Sequence, residues 1–159
     1  DGNLIGEQTS AGKTFQVDLT TGFNVSDALF ICVNTTYNTT SSGQIFNGSD
    51  IQDTNGDGSG FYGFAGYLQA TASENFAIGL RGEYFSVFNG GLEGVVGVNG
   101  AGDGNVFAMT LSGNAKISKN LTLIPELRLD SMGQEFFVNK DLNPSKSLAS
   151  FLLAAVFAF

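Results

Sequence analysis

Apolar and polar residues alternate with a period of two in seven stretches of the chain, and segments rich in Gly, Asn, Ser and Asp separate them. Such alternation is typical of β-strands that present one face to an apolar medium and the other to polar surroundings. The chain is therefore predicted to be all-β, with antiparallel strands connected up and down. The predicted strands span about residues 14–23, 28–37, 61–71, 76–85, 106–116, 121–130 and 147–159.

The charged residues inside these strands indicate what each face contacts. All seven lie on the face opposite the apolar residues, an agreement that chance would give roughly once in a hundred. A Lys or Arg that faces lipid at the bilayer midplane costs about 2–4 kcal/mol. The apolar face is therefore predicted to contact lipid, and the polar face to line an enclosed lumen. The predicted lumen-lining residues are Asp18, Asn34, Gln69, Arg81, Glu83, Lys116, Glu126, Arg128 and Asp130.

The connections alternate between short turns and long loops, as in outer-membrane barrels with short periplasmic turns and longer extracellular loops. Aromatic residues collect near both ends of the apolar stripes, where a membrane barrel has its two girdles. These features predict an antiparallel up-and-down transmembrane β-barrel in the bacterial outer membrane, in contact with the bilayer and with lipopolysaccharide. The predicted girdle residues are Phe15, Phe23, Tyr37, Tyr62, Phe76, Tyr84, Phe107 and Phe151.

The composition of the chain excludes several classes of function. The net charge is −8, which argues against a nucleic-acid partner because such a partner needs a basic face. The chain has no His and a single Cys, Cys32, which excludes within it the His-dependent nucleophilic mechanisms, an internal disulfide and a Cys zinc site. No stretch approaches the roughly 18 apolar residues of a transmembrane helix. No enzymatic activity is expected.

One loop resembles the first half of a calcium-binding loop. Asp53, Asn55 and Asp57 follow the pattern D-x-N-x-D-G, in which oxygen ligands at positions 1, 3 and 5 suit Ca²⁺. The bidentate Glu expected at position 12 is missing, and Phe64 stands there. The alternative is a solvated turn. Apart from this possible Ca²⁺, no cofactor is predicted.

Two features concern the extent and the regularity of the sheet. Seven strands is an odd number, whereas bacterial single-chain barrels have an even number. Residues 1–159 are therefore predicted to be the C-terminal portion of one larger, even-stranded outer-membrane barrel domain. Pro125 lies inside the sixth predicted strand, where it removes a ladder hydrogen bond, and a β-bulge is expected there.

The C-terminal segment carries a family resemblance. The ending SFLLAAVFAF places Phe151, Leu153, Phe157 and Phe159 at alternate positions before the terminus, and it resembles the assembly signal of outer-membrane barrels. With GLRGEYFSV at 79–87 and NLTLIPELRLD at 120–130, it resembles the OmpL-like β-barrel porins of Bacteroidota. The resemblance implies a passive-transport barrel that the outer-membrane assembly machinery inserts.

Two functions remain open at this point. The barrel can be a pore through which small solutes diffuse, with the strand charges setting its selectivity. Alternatively, it can be a structural or accessory subunit that binds other outer-membrane subunits, with the same charges paired inside a closed barrel. A membrane-embedded enzyme is disfavoured because His is absent.

Overall fold

The computed structural model describes residues 13–41, 44–46, 51–53, 58–90 and 103–159. Within this part of the chain, no helix is long and apolar enough to cross a membrane. The strands are β1 (Thr14–Ser26), β2 (Leu29–Thr40), β3 (Gln44–Phe46), β4 (Ile51–Asp53), β5 (Ser59–Ser73), β6 (Phe76–Phe88), β7 (Gly104–Lys116), β8 (Leu121–Met132), β9 (Phe137–Val138), β10 (Pro144–Ser145) and β11 (Ser147–Phe157).

Seven long strands form one sheet in the order β1-β2-β5-β6-β7-β8-β11, and each strand pairs antiparallel with the next. This up-and-down arrangement confirms the predicted all-β antiparallel fold, and each of the seven strands overlaps one predicted stretch. The sheet is not closed, because β1 and β11 are its two edges. The small hairpins β3–β4 and β9–β10 lie in the connections at the end of the sheet that carries the long loops.

Five strands extend beyond their predicted limits at this long-loop end. β2 continues to Thr40, β5 begins at Ser59, β6 continues to Phe88, β7 begins at Gly104 and β8 continues to Met132. The seven long strands have 11 to 15 residues, whereas about 9–11 residues are enough to cross the hydrocarbon core. In all of these strands except β11, the pairing therefore continues past the length that a bilayer requires.

The register divides the sheet into two faces, because directly paired residues on antiparallel strands point to the same side. We call them the apolar face and the polar face. On the apolar face, one row of large hydrophobic side chains crosses all seven strands: Phe23, Ile31, Leu68, Leu80, Leu111, Leu127 and Phe151.

The two faces differ in exposure as well as in polarity. On β8, Leu129 of the apolar face is 59% exposed, whereas the neighbouring Arg128 side chain of the polar face is 29% exposed. On β7, Ala108 and Thr110 of the polar face are buried. A sheet that curls around its polar side produces this asymmetry, as the wall of a barrel does.

The three short turns between long strands share a serine motif. The hydroxyl oxygens of Ser26, Ser73 and Ser118 each accept a hydrogen bond at 3.3 Å from the backbone N–H two residues later. Ser and Thr form such local turns readily because the hydroxyl replaces a backbone acceptor. In each case Ser is followed by a charged residue and then by Ala or Asn, as SDA, SEN and SKN.

The prediction of a β-bulge at Pro125 is wrong. The register between β7 and β8 is the same on both sides of Pro125, and only the pairs expected at Gly113 and Asn114 are missing. On its other side Pro125 pairs regularly with Leu153 of β11. A Cβ on Gly113 would lie 3.2 Å from Cγ of Pro125, so the missing side chain makes room for the ring. The sheet therefore loses ladder bonds here without inserting a residue.

Candidate functional site

The polar face is the candidate site, and it carries all nine residues that the sequence predicts to line a lumen. β6 and β8 supply five of them, among them both arginines. That these residues line an aqueous path stays a prediction. By strand, they are Asp18 on β1, Asn34 on β2, Gln69 on β5, Arg81 and Glu83 on β6, Lys116 on β7, and Glu126, Arg128 and Asp130 on β8.

Four of these residues form a charge cluster: Arg81, Glu83, Arg128 and Asp130. Oε1 of Glu83 lies 2.7 Å from Nη1 of Arg128 and 3.2 Å from Nη2 of Arg81. Arg128 also contacts Asp130, with Nη2 at 2.8 Å from Oδ1 and Nε donating to both carboxylate oxygens at 3.0 and 3.1 Å. Two positive and two negative groups thus neutralise one another across β6 and β8.

The cluster joins strands that are not neighbours, because β7 lies between β6 and β8. The register pairs Glu83 with Ala108 and Ala108 with Asp130, and it pairs Arg81 with Thr110 and Thr110 with Arg128. Ala108 is 1% exposed and Thr110 is 5% exposed. The small β7 residues therefore leave room for longer charged side chains to meet above them, a contact that spacing along the chain does not predict.

Two polar atoms in this region are buried without a hydrogen-bond partner among the described residues, Nε of Arg81 and Oγ1 of Thr110. Buried polar atoms in proteins are nearly always hydrogen-bonded, to protein or to ordered water. Arg81 and Thr110 are directly paired across β6 and β7. Their location on the polar face is compatible with a hydrated interior, where water can reach both atoms.

The other end of the polar face, on β1 and β2, carries hydroxyl and amide groups. Nδ2 of Asn34 donates to Oγ1 of Thr20 at 2.7 Å, and Nδ2 of Asn38 donates to Oε1 of Gln16 at 3.0 Å. We call these four residues the hydroxyl–amide wall. Gln16 also donates to Asp18 at 2.8 Å. Partners here are directly opposite or two residues apart on one strand, whereas the charge cluster also contains a pair, Glu83 and Arg128, that crosses an intervening strand.

The apolar face carries the predicted girdle residues, all eight of them on the side opposite the charges. At the long-loop end, ring centroids lie 6.2 Å apart in Tyr62–Tyr84 and 6.4 Å apart in Tyr37–Phe88 and Tyr62–Phe88. Phe88 is an addition, because the predicted strand ended at residue 85. Whether these rings lie at a membrane interface stays a prediction.

The predicted assembly signal lies on the edge strand β11. Phe151, Leu153 and Phe157 project from the apolar face and are exposed, and Phe159 follows the end of the strand. Ala158, the residue before Phe159, is bound to Asn120 in the short turn between β7 and β8. The Ala158 N–H donates to the Asn120 carbonyl at 2.9 Å, and Nδ2 of Asn120 donates to the Ala158 carbonyl. The function of the segment as a signal stays a prediction.

The predicted calcium site is not described by the structure. Asn55 and Asp57 lie outside the described residues, and of Asp53 only the backbone, at the end of β4, is described. In the described part of the chain, no group of three or more His, Cys, Asp or Glu residues is placed to hold a metal ion. The calcium loop therefore stays a prediction.

Comparison of the sequence with models of known protein families identifies the family of the chain. The model for the family described as "Putative beta-barrel porin-2, OmpL-like" matches residues 2–159, nearly the whole chain. The chain belongs to this family. Membership in a porin family makes it a porin-like membrane protein and favours a barrel without catalytic activity. Comparison with curated proteins found no match, and comparison with solved structures found none either.

Proposed function

We propose that this OmpL-like porin lies in the bacterial outer membrane and lets small solutes diffuse passively through its lumen. The observation that carries the proposal is the difference between the two faces of the sheet. The nine predicted lumen residues share the polar face, while the apolar face exposes a row of large hydrophobic side chains across all seven strands. A lipid-facing outer wall and a polar inner wall are what a membrane barrel requires.

Closure of the barrel is part of the proposal. The two edges, β1 and β11, run in the same direction because the strands between them alternate. They can join an antiparallel barrel only through an odd number of further strands, which brings the total to an even number. We propose that residues 1–159 form the C-terminal portion of such a barrel domain, in contact with the bilayer and lipopolysaccharide. The outer-membrane assembly machinery would then bind its last strand.

Electrical conductance tests the pore. The full-length protein in planar bilayers is expected to give stepwise ion currents, and Arg81→Gln with Arg128→Gln is expected to shift selectivity towards cations. Both arginines lie on the polar face between acidic groups that would remain. Lys119→Gln with Lys140→Gln removes the same charge from exposed residues outside the strands, and it should shift selectivity less. A protein that folds into the bilayer but carries no current would contradict the proposal.

One observation favours a second candidate, a structural or accessory barrel subunit bound to other outer-membrane subunits. β11 is apolar on both faces, because Leu148, Leu152 and Val156 project from the polar face and are more than one-third exposed. An apolar stripe is a poor lining for an aqueous pore, and it suits contact with a plug or partner. A silent barrel that co-purifies with stoichiometric partner subunits would favour this candidate.

A further inference from the structure

A hollow on the polar face lies above β5, next to the charge cluster, with which it shares Glu83. On this face β5 contributes Gly63 and Ala65, the floor of a cavity of about 320 Å³ that we call the trough. The register sets Thr36 and Phe85 on either side of Gly63, and Asn34 and Glu83 on either side of Ala65. The volume is close to the lower limit of small-molecule sites, about 300 Å³, and holds about ten water-sized units.

One wall of the trough comes from β2 and is held in place by β1. Nδ2 of Asn34 donates to Oγ1 of Thr20 at 2.7 Å, and Thr36 lies directly opposite Asp18 in the register of β1 and β2. The bond to Thr20 fixes the Asn34 side chain, whose amide combines donor and acceptor atoms. Because the wall is ordered before a solute arrives, binding costs less conformational entropy.

The opposite wall comes from β6 and combines a charge with an aromatic ring. The Glu83 carboxylate is neutralised by Arg81 and Arg128, and the Phe85 ring leans over the floor, where a Cβ on Gly63 would lie 3.0 Å from its Cδ2. Tyr67 also lines the trough and adds a phenol. The site therefore offers hydrogen-bonding groups beside aromatic surface.

Resting on the proposed function, we propose that the trough is a binding subsite for a neutral, polyhydroxylated solute of about the size of a hexose. Hydroxyl groups can both donate to and accept from amide, hydroxyl and carboxylate groups. The weakly positive C–H face of a sugar ring complements the negative face of an aromatic ring. A net charge is disfavoured in either sign, because an anion would meet the Glu83 carboxylate that lines the trough, whereas a cation would find that carboxylate already paired with Arg81 and Arg128.

The test measures binding separately from conductance. Glucose, gluconate and glucosamine have similar sizes but different charges, and flow dialysis of each against the folded full-length protein gives its affinity. Glucose is expected to bind saturably and more tightly than either charged analogue. Ala65→Leu fills the floor and should weaken glucose binding about tenfold or more, equivalent to at least 1.4 kcal/mol. Tyr67→Phe keeps the ring and should weaken it less.

Gly66→Ala is the matched control, because the neighbouring Gly66 faces the apolar side and its added Cβ would meet nothing within 4 Å. It should leave glucose binding unchanged. Absence of saturable glucose binding in a conducting protein would overturn the trough while leaving the pore intact. Tighter binding of a charged analogue than of glucose would also overturn the trough, and so would unchanged glucose binding in folded Ala65→Leu. If Ala65→Leu does not fold, unchanged glucose binding in Tyr67→Phe would overturn the trough instead. Saturable binding without conductance would support the trough and contradict the pore.

Discussion

The charge cluster and the hydroxyl–amide wall occupy the same face of one sheet, yet their side chains find partners in different ways. In the hydroxyl–amide wall, partners lie directly across one strand pair, as Asn34 and Thr20 do. In the charge cluster, Glu83 reaches Arg128 across an intervening strand. The difference arises at β7, where Ala108 is too small to occupy the space above it.

This comparison separates what alternation determines from what side-chain size determines. Both regions have the same period of two, so the pattern assigns every polar residue to one face. It does not say which residues on that face touch, because that depends on the length of the side chains between them. Ion pairs between strands that are not adjacent require a short residue on the strand that separates them.

The largest expected effect concerns the apolar face, the opposite side of the sheet from both regions. Leu111→Lys places a charge within the hydrophobic row and is expected to cost about 2–4 kcal/mol if that face contacts lipid. Ser112→Lys places the same charge one residue later, on the polar face, and should cost much less. Urea unfolding in lipid vesicles, followed by gel mobility or circular dichroism because the chain has no Trp, measures both. Equal losses would contradict the assignment of the faces.

The next effect compares the two regions directly. Arg128→Ala removes the positive group that bridges Glu83 and Asp130. The repulsion between the two negative carboxylates is then less well compensated. We expect a loss of about 1–2 kcal/mol, since these pairs are half-buried rather than fully exposed. Asn34→Ala removes one bond of the hydroxyl–amide wall and should cost below about 1 kcal/mol. The same unfolding assay applies, and a larger loss for Asn34→Ala would reverse the comparison.

The sequence predicts the strands and their faces well because both depend on alternation alone. The sequence predicts the ends of the strands less well. β2 continues to Thr40 and β6 to Phe88, inside segments that the sequence pattern predicts to be loops, because pairing with a neighbouring strand stabilises residues whose own alternation is weak. The hairpins β3–β4 and β9–β10 are also absent from the sequence prediction. The three short turns overlap the gaps between the predicted strands, and the repeated Ser-charged-Ala/Asn motif at Ser26, Ser73 and Ser118 is a second sequence signal for the same positions.

The candidate site is predictable as a set of residues but not as an arrangement. The nine polar-face residues follow from parity, whereas the charge cluster and the trough depend on which residues β7 and β5 place between them. The error at Pro125 has the same origin. Pro requires a local adjustment, but only the register shows that Gly113 faces it and makes a bulge unnecessary.

The smallest expected effect concerns this Gly–Pro contact. Replacing Gly by Ala in a strand stabilises a protein by about 0.4–1 kcal/mol where the added methyl group fits. Gly66→Ala should give this gain, since the space around it is open. Gly113→Ala should gain less or lose stability, because its Cβ would press on Pro125 at 3.2 Å. Thermal unfolding of the two variants measures the difference, and an equal gain in both would mean that Pro125 yields to the methyl group.

The central claim, that the apolar face contacts lipid and the polar face an aqueous interior, is tested most directly by spin labels along β2 in vesicles. The native Cys32 lies on the polar face, and single cysteines at positions 30 to 35 in a Cys32→Ser background complete the series. We expect labels at even positions to collide mainly with a water-soluble nickel reagent and labels at odd positions mainly with oxygen dissolved in the lipid. The opposite alternation, or none, would contradict the account.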